Sequence, residues 1–234
     1  GCYLGTDATG TQAVPNWFGV WVAGANGNTV GGTGAGDGNL ISANRSAQVY
    51  LVSADDNVVQ GNFIGPDAVG MNRVGGNVSR SYGIAADSGS LRNLIGGTEA
   101  GARNVISGLS GVCIGLRDGS EDNRVLGNFI GVAADGVTSL GDVQGVVIDT
   151  GAVRNRIGGT AAGEGNRIAF NQWEGVVIAN PASGNSIRGN QTFDNGKLGI
   201  NLVGGTEDDY DAYGVTANDL GDADTGANDF QNFP

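Results

Sequence analysis

The sequence predicts an all-β fold, a three-sided parallel β-solenoid of six full coils with partial coils at its ends. Three observations predict it. A unit built on two asparagines eleven residues apart occurs three times: Asn28-Thr29-Val30-Gly31-Gly32-Thr33 runs on to Asn39-Leu40-Ile41-Ser42, Asn93-Leu94-Ile95-Gly96-Gly97-Thr98 to Asn104-Val105-Ile106-Ser107, and Asn155-Arg156-Ile157-Gly158-Gly159-Thr160 to Asn166-Arg167-Ile168-Ala169. Self-similarity at such spacing marks a repeat architecture. A second signature, glycine followed by Val or Ile and then an apolar residue two places on, alternates with the asparagine units, as in Gly19-Val20-Trp21-Val22 and Gly145-Val146-Val147-Ile148. Finally, the chain holds 45 glycines and only 4 prolines with no three-residue period, which excludes collagen and favours short strands separated by many turns.

Each winding reads as three strands. The first opens at Gly19, Gly83, Gly111, Gly145, Gly175 and Gly199, with Gln48 standing in once. The second and third follow the asparagine pairs Asn28/Asn39, Asn57/Asn62, Asn93/Asn104, Asn123/Asn128, Asn155/Asn166 and Asn185/Asn190. Alternation of side chains along a strand sends one row inward. The first strand supplies Val20, Val49, Ile84, Val112, Val146, Val176 and Ile200, and beside them Val22, Leu51, Ala86, Ile114, Ile148, Ile178 and Leu202. The second supplies Val30, Val59, Ile95, Val125, Ile157 and Ile187. The third supplies Ile41, Ile64, Ile106, Ile130 and Ile168, with Thr192 the one polar member. Odd turns carry the Gly-Gly-Thr loop, and even turns carry a longer loop after the third strand. Gly1-Cys2-Tyr3-Leu4-Gly5 matches Gly61-Asn62-Phe63-Ile64-Gly65, so the chain is expected to open partway through a turn, with a strand edge that invites pairing with another chain.

The asparagines are expected at corners, where they tolerate left-handed backbone and can hydrogen-bond from turn to turn. The residues preceding the first asparagine of each pair run Gly27, Asp56, Arg92, Asp122, Arg154, Gly184. Stacked at the strand spacing of about 4.8 Å, they form a ladder of alternating charge.

With 24 acids against 12 bases, the net charge of −12 argues against nucleic acid, whose phosphates need basic partners. The absence of histidine removes imidazole acid–base chemistry and imidazole metal ligands. Cys2 and Cys113 fall several coils apart and are expected to be free thiols. No apolar run reaches the roughly eighteen residues of a membrane span, so no membrane insertion is expected. Residues 1–203 carry the repeat. Residues 204–234 lose it and hold eight acids and no base, an acidic cap or tail. There Asp219, Asp222, Asp224 and Asp229, spaced by glycines, suit Ca²⁺, which prefers hard oxygen ligands. A solvated acidic tail leading to a linker accounts for the same residues.

The motifs Ile-Gly-Gly-Thr-x-Ala-Gly and Gly-Asn-Phe-Ile-Gly give the chain a resemblance to the right-handed parallel β-helix repeats of the pectate-lyase-like superfamily, in the form found in large bacterial secreted and cell-surface proteins. The resemblance implies the right-handed coil and an extracellular or cell-surface location. It also implies polysaccharide as a ligand class, since some members are lyases or hydrolases that pair calcium-binding aspartates with a basic residue. No such motif transfers residue by residue. The densest acids on the solenoid are Asp55 and Asp56 near Asp118 and Asp122, the candidates for a catalytic set.

Two functions compete. One is a non-catalytic structural or adhesive module that binds polysaccharide or a surface protein, or associates end to end. Its candidate face is the outward row Trp21, Tyr50, Ala85, Cys113, Val147, Val177, Asn201, with Trp21 and Tyr50 as binding residues. The other is a polysaccharide-degrading enzyme acting through the acids just named.

Overall fold

The computed structural model describes residues 1–75, 81–203 and 227–230, the side chains of Asp229 and Phe230 excepted. It is a right-handed β-solenoid of three all-parallel sheets with seven, six and seven strands. The first sheet stacks Phe18–Ala23, Ala47–Val52, Tyr82–Asp87, Val112–Leu116, Gln144–Ile148, Val176–Ala179 and Ile200–Val203. The second stacks Thr29–Gly31, Val58–Gln60, Leu94–Gly96, Arg124–Leu126, Arg156–Gly158 and Ser186–Arg188. The third stacks Tyr3–Leu4, Leu40–Ile41, Phe63–Ile64, Val105–Ile106, Phe129–Ile130, Arg167–Ala169 and Gln191–Phe193. Such short strands cannot bury an apolar face alone, so stability comes from stacking neighbours. The interior is a single aliphatic cluster in which Ile41, Ile64, Ile84, Ile95, Ile106, Ile130, Ile157 and Ile168 are fully buried.

Two asparagine columns run along the corners as the sequence predicts. In the first, the backbone N–H and Nδ2 of Asn57 both donate to Asn93 Oδ1 (2.9 and 3.0 Å), and those of Asn93 to Asn123 Oδ1 (2.9 and 2.9 Å). The second column repeats this from Asn39 through Asn62, Asn104, Asn128 and Asn166 to Asn190. Each rung satisfies buried polar groups that water cannot reach. The glycine after the second strand is forced as well. Gly96 has φ +84°, and a Cβ there would lie 2.1 Å from Leu126 O of the next coil.

One winding sits in a different register from the one expected. Ile114 pairs with Ile84 and Val146, and Leu116 with Ala86 and Ile148, so the two inner rows of the first sheet take Ile114 and Leu116 where Val112 and Ile114 were expected. Val112 instead pairs with Tyr82 and Gln144. Cys113 therefore occupies the position of the strand-opening glycine and is completely buried, and the outward residue of this winding is Gly115. The cause is a bend at the strand start that turns two successive residues inward. At Gly19 a Cβ would meet Ile41 Cγ2 at 2.4 Å, and at Gly83 it would meet Ile106 Cγ2 at 2.6 Å, so glycine usually fills this place.

Where it does not, the side chain reaches a third polar column. Gln48 Oε1 accepts from the N–H and Nδ2 of Asn44 (3.0 and 2.8 Å), and Asn16 donates to Asn44 Oδ1 (3.0 Å). Further along, Asp142 N–H donates to Asn171 Oδ1 (3.2 Å), and Asn171 to Asn195 Oδ1 (2.9 Å). Cys113 Sγ donates to Asp142 Oδ2 at 2.9 Å. The column is broken in between by the buried apolar Leu109.

Of the acidic tail, the described part is a 3-10 turn, Ala227–Phe230. Ala227 joins the buried core, and Asn228 Oδ1 accepts from Asn185 N–H at 2.6 Å, adding a rung to the first asparagine column.

Candidate functional site

The residue before the strand-opening glycine points outward, and on two coils it is aromatic: Phe18 and Tyr82. The sheet register then brings Trp21 opposite Tyr50. Phe18 stacks on Tyr50 with centroids 5.3 Å apart and leans on Trp21 at 5.3 Å, so the rings form one surface. Trp21 remains 61% exposed, with its ring open to a ligand. Tyr82 continues the surface one coil on, and the glycine at 115 makes room for it, since a Cβ there would lie 2.8 Å from Tyr82 Cε1.

Beside the rings the strand ends supply a polar row. Val52 pairs with Asp87; in the next coil Arg117 N–H donates to Ala86 O, and in the one after it Asp149 N–H donates to Leu116 O. Arg117 Nε donates to Asp149 Oδ1 (3.1 Å), and its Nη1 donates to the Tyr82 hydroxyl (3.0 Å). Tyr50 Oη donates to Asp87 Oδ2 at 2.8 Å. Burial, aided by this bond to Asp87, pushes the Tyr50 hydroxyl up to about 12, so it stays a donor at physiological pH. Asp87 Oδ1 is buried without a hydrogen-bond partner among the described residues. A cavity of about 290 Å³ lies between Phe18, Tyr50, Tyr82, Ala85, Asp87 and Arg117. Ring faces edged by a carboxylate, a guanidinium and hydroxyls suit a ligand with apolar faces and hydroxylated edges.

The predicted binding pair, Trp21 and Tyr50, thus lies together on this face. Cys113 does not belong to it, because the register turns it into the core. Phe18 and Tyr82 were missed, and the signal that could have found them is the aromatic-glycine dipeptide at the head of a strand.

The predicted acid cluster is divided among three rows. Asp56, Arg92, Asp122 and Arg154 share one left-handed corner, with φ between +53° and +57°. There Arg92 grips Asp56 with two hydrogen bonds of 2.8 Å, and Arg154 Nε donates to Asp122 Oδ1 at 3.3 Å while a terminal nitrogen contacts Glu121. The expected ladder of alternating charge is therefore present. Arg92 holds the Asp56 carboxyl below its usual range. Asp55 lies one residue earlier, accepting from Leu91 N–H (3.0 Å). Asp118 lies on another corner, taking a hydrogen bond from Ser88 Oγ (3.2 Å).

For the calcium candidates, Asp219, Asp222 and Asp224 lie outside the described residues, as does the side chain of Asp229. Among the described residues, no three Cys, Asp or Glu side chains come together as a metal site, and no helix is long and apolar enough to cross a membrane. No protein-family model matches the chain, and no curated protein matches it in sequence.

Proposed function

We propose that this solenoid is a non-catalytic binding module of a secreted or cell-surface protein, and that it holds a neutral polysaccharide on the outer face of its first sheet. The observation that carries the reading is the ring cluster of Phe18, Trp21 and Tyr50, with Tyr82 lining the same cavity, beside the row Asp87, Arg117, Asp149. Sugar rings stack on aromatic faces, and the polar row offers both donors and acceptors to their hydroxyls. The rigid columns beneath hold these groups in place before a ligand arrives, which lowers the ordering cost of binding. The carboxylates of the charged corner already face arginines, which favours a structural role for Asp56 and Asp122.

A panel of neutral glycans immobilised on a sensor tests the reading. At least one is expected to bind, and Trp21→Ala or Tyr82→Ala is expected to weaken it by about tenfold, the loss of roughly 1.4 kcal/mol of stacking; the exposed Trp21 is expected to be replaced without a change in melting temperature. Binding indifferent to both substitutions would refute the assigned face. Release of new reducing ends or unsaturated products would refute the non-catalytic reading. Loss of that turnover in Asp55→Ala or Asp122→Ala would assign the chemistry to the acidic corner.

A further inference from the structure

A second face of the molecule reverses the character of the chain. The Gly-Gly-Thr loops of alternate coils stack directly on one another: a Cβ at Gly101 would lie 2.3 Å from Thr33 O, and one at Gly163 would lie 2.1 Å from Thr98 O. They make a ridge beside the outer face of the third sheet. Between ridge and sheet runs a groove of about 600 Å³, within the roughly 300–1,000 Å³ of small-ligand sites. In a chain with 24 acids and 12 bases, the groove contains Arg103 and Arg167 and no carboxylate.

The two guanidinium carbons lie 4.1 and 5.9 Å from the centroid of one ring, Phe129, which fixes both heads in the groove. Arg103 spends only Nε inside the protein, on Gly127 O (3.1 Å). Arg167 spends Nε on Gln191 Oε1 (3.0 Å) and Nη1 on Gly136 O (2.6 Å). Both terminal nitrogens of Arg103 and Nη2 of Arg167 have no protein partner among the described residues. Of the acids on the two loops that form this part of the ridge, Glu164 contacts Arg156 and accepts from Ala161 N–H at 3.0 Å, and Glu99, on the loop that carries Arg103, is exposed and outside the groove lining.

We infer that this groove is a second binding site, independent of the aromatic face, and that it takes the sulfate groups of a sulfated polysaccharide. Two guanidinium heads around one space present more donors than one carboxylate can accept, whereas a sulfate ester offers three acceptor oxygens to both. The rest of the lining is neutral and hydrogen-bonding: the Thr160 hydroxyl, the Gln191 amide and the backbone of Gly159, Gly163 and Gly189. Such a lining matches sugar hydroxyls. It lacks the apolar side-chain pockets by which a peptide would be selected, because Phe129 is already covered by Arg103.

The test uses the intact chain on surfaces of dextran sulfate, unmodified dextran and polyglutamate, at low and moderate salt. Dextran sulfate is expected to bind best. The Arg103→Ala/Arg167→Ala pair should weaken it at least tenfold, and Arg103→Lys/Arg167→Lys should weaken it measurably, because lysine keeps the charge and loses the fork. Trp21→Ala should leave it unchanged, which separates this site from the aromatic face. Far-UV circular dichroism and melting temperature establish that each variant is folded. Three results would overturn the assignment: undiminished binding by the alanine pair, full affinity in the lysine pair, or polyglutamate bound as tightly as dextran sulfate, which would identify an acidic peptide instead.

Discussion

Replacing Asp142 by asparagine is expected to stabilise the protein by about 2–4 kcal/mol at pH 7, a magnitude set by linkage for a carboxyl whose pKa is raised several units. Asp142 stands in a corner column whose other described polar members, Asn16, Asn44, Asn171 and Asn195, are all amides. It is completely buried, its Oδ2 accepts from the Cys113 thiol, and its Oδ1 has no hydrogen-bond partner among the described residues. Arg73 does not rescue it. The guanidinium nitrogen is 3.8 Å from Oδ1, beyond a hydrogen bond, and its donors are directed at the carbonyls of Leu109 and Gly141. Burial therefore dominates and pushes the Asp142 carboxyl up to about 8, while it also raises the Cys113 thiol.

The sign follows from where the proton resides. Below about pH 4 both folded and unfolded chains hold it, and stability is greatest with respect to this group. Between about pH 4 and 8 the unfolded chain releases the proton while the folded chain keeps it, so stability falls as pH rises, and it levels off above 8. Urea denaturation at a series of pH values should show this decline in the parent chain and a flatter profile in Asp142→Asn. Parallel profiles of equal height would mean that Asp142 is ionised in the folded protein and held by Arg73.

Asn123→Ala is expected to cost about 3–5 kcal/mol, since it strands two buried donors at roughly 1–3 kcal/mol each and deletes two further bonds. Asn123 Oδ1 accepts both the N–H and Nδ2 of Asn93 at 2.9 Å, and its own Nδ2 donates to Asn155 Oδ1 and Ser90 O at 3.0 Å. Asn123 is fully buried, so bulk water does not reach the donors it satisfies. The urea midpoint should fall sharply. In a solenoid, where each coil contacts chiefly its neighbours, the transition should also broaden as the halves on either side of Asn123 lose their coupling. A midpoint shift below the experimental scatter would show that the amide column contributes little.

Those two residues also mark how far the sequence could be read. Asn123 belongs to a column with an asparagine in every winding, so its periodicity is visible, as is that of the aliphatic rows through Val30, Ile95 and Ile157. Asp142 belongs to a column interrupted by Leu109, and an interrupted column has no period to find. The misplaced winding has a similar cause. Gly111-Val112-Cys113-Ile114 imitates the strand-opening signature, but the interior there accepts a thiol in place of glycine, and the true strand continues through Gly115 to Leu116. That shift of two residues preserves the inward face, so the core was legible, and it costs the outer row one member: Gly115 stands where Cys113 was expected, between Ala85 and Val147. Phe18 and Tyr82 escaped notice because the bend at the strand start breaks simple alternation. The arginine groove depends on loops from different coils meeting across long stretches of sequence, which spacing alone does not reveal.

The register of the first sheet determines which side chains form the outer face, and counting reactive thiols tests it most directly. With Cys2 exposed and Cys113 completely buried, a disulfide reagent should titrate one thiol per folded chain and two after denaturation. The Cys2→Ser variant should be silent until it unfolds. Two thiols reacting at once in the folded chain, or a fast-reacting Cys113 in Cys2→Ser, would put that residue on the surface and contradict both the register and the face built on it.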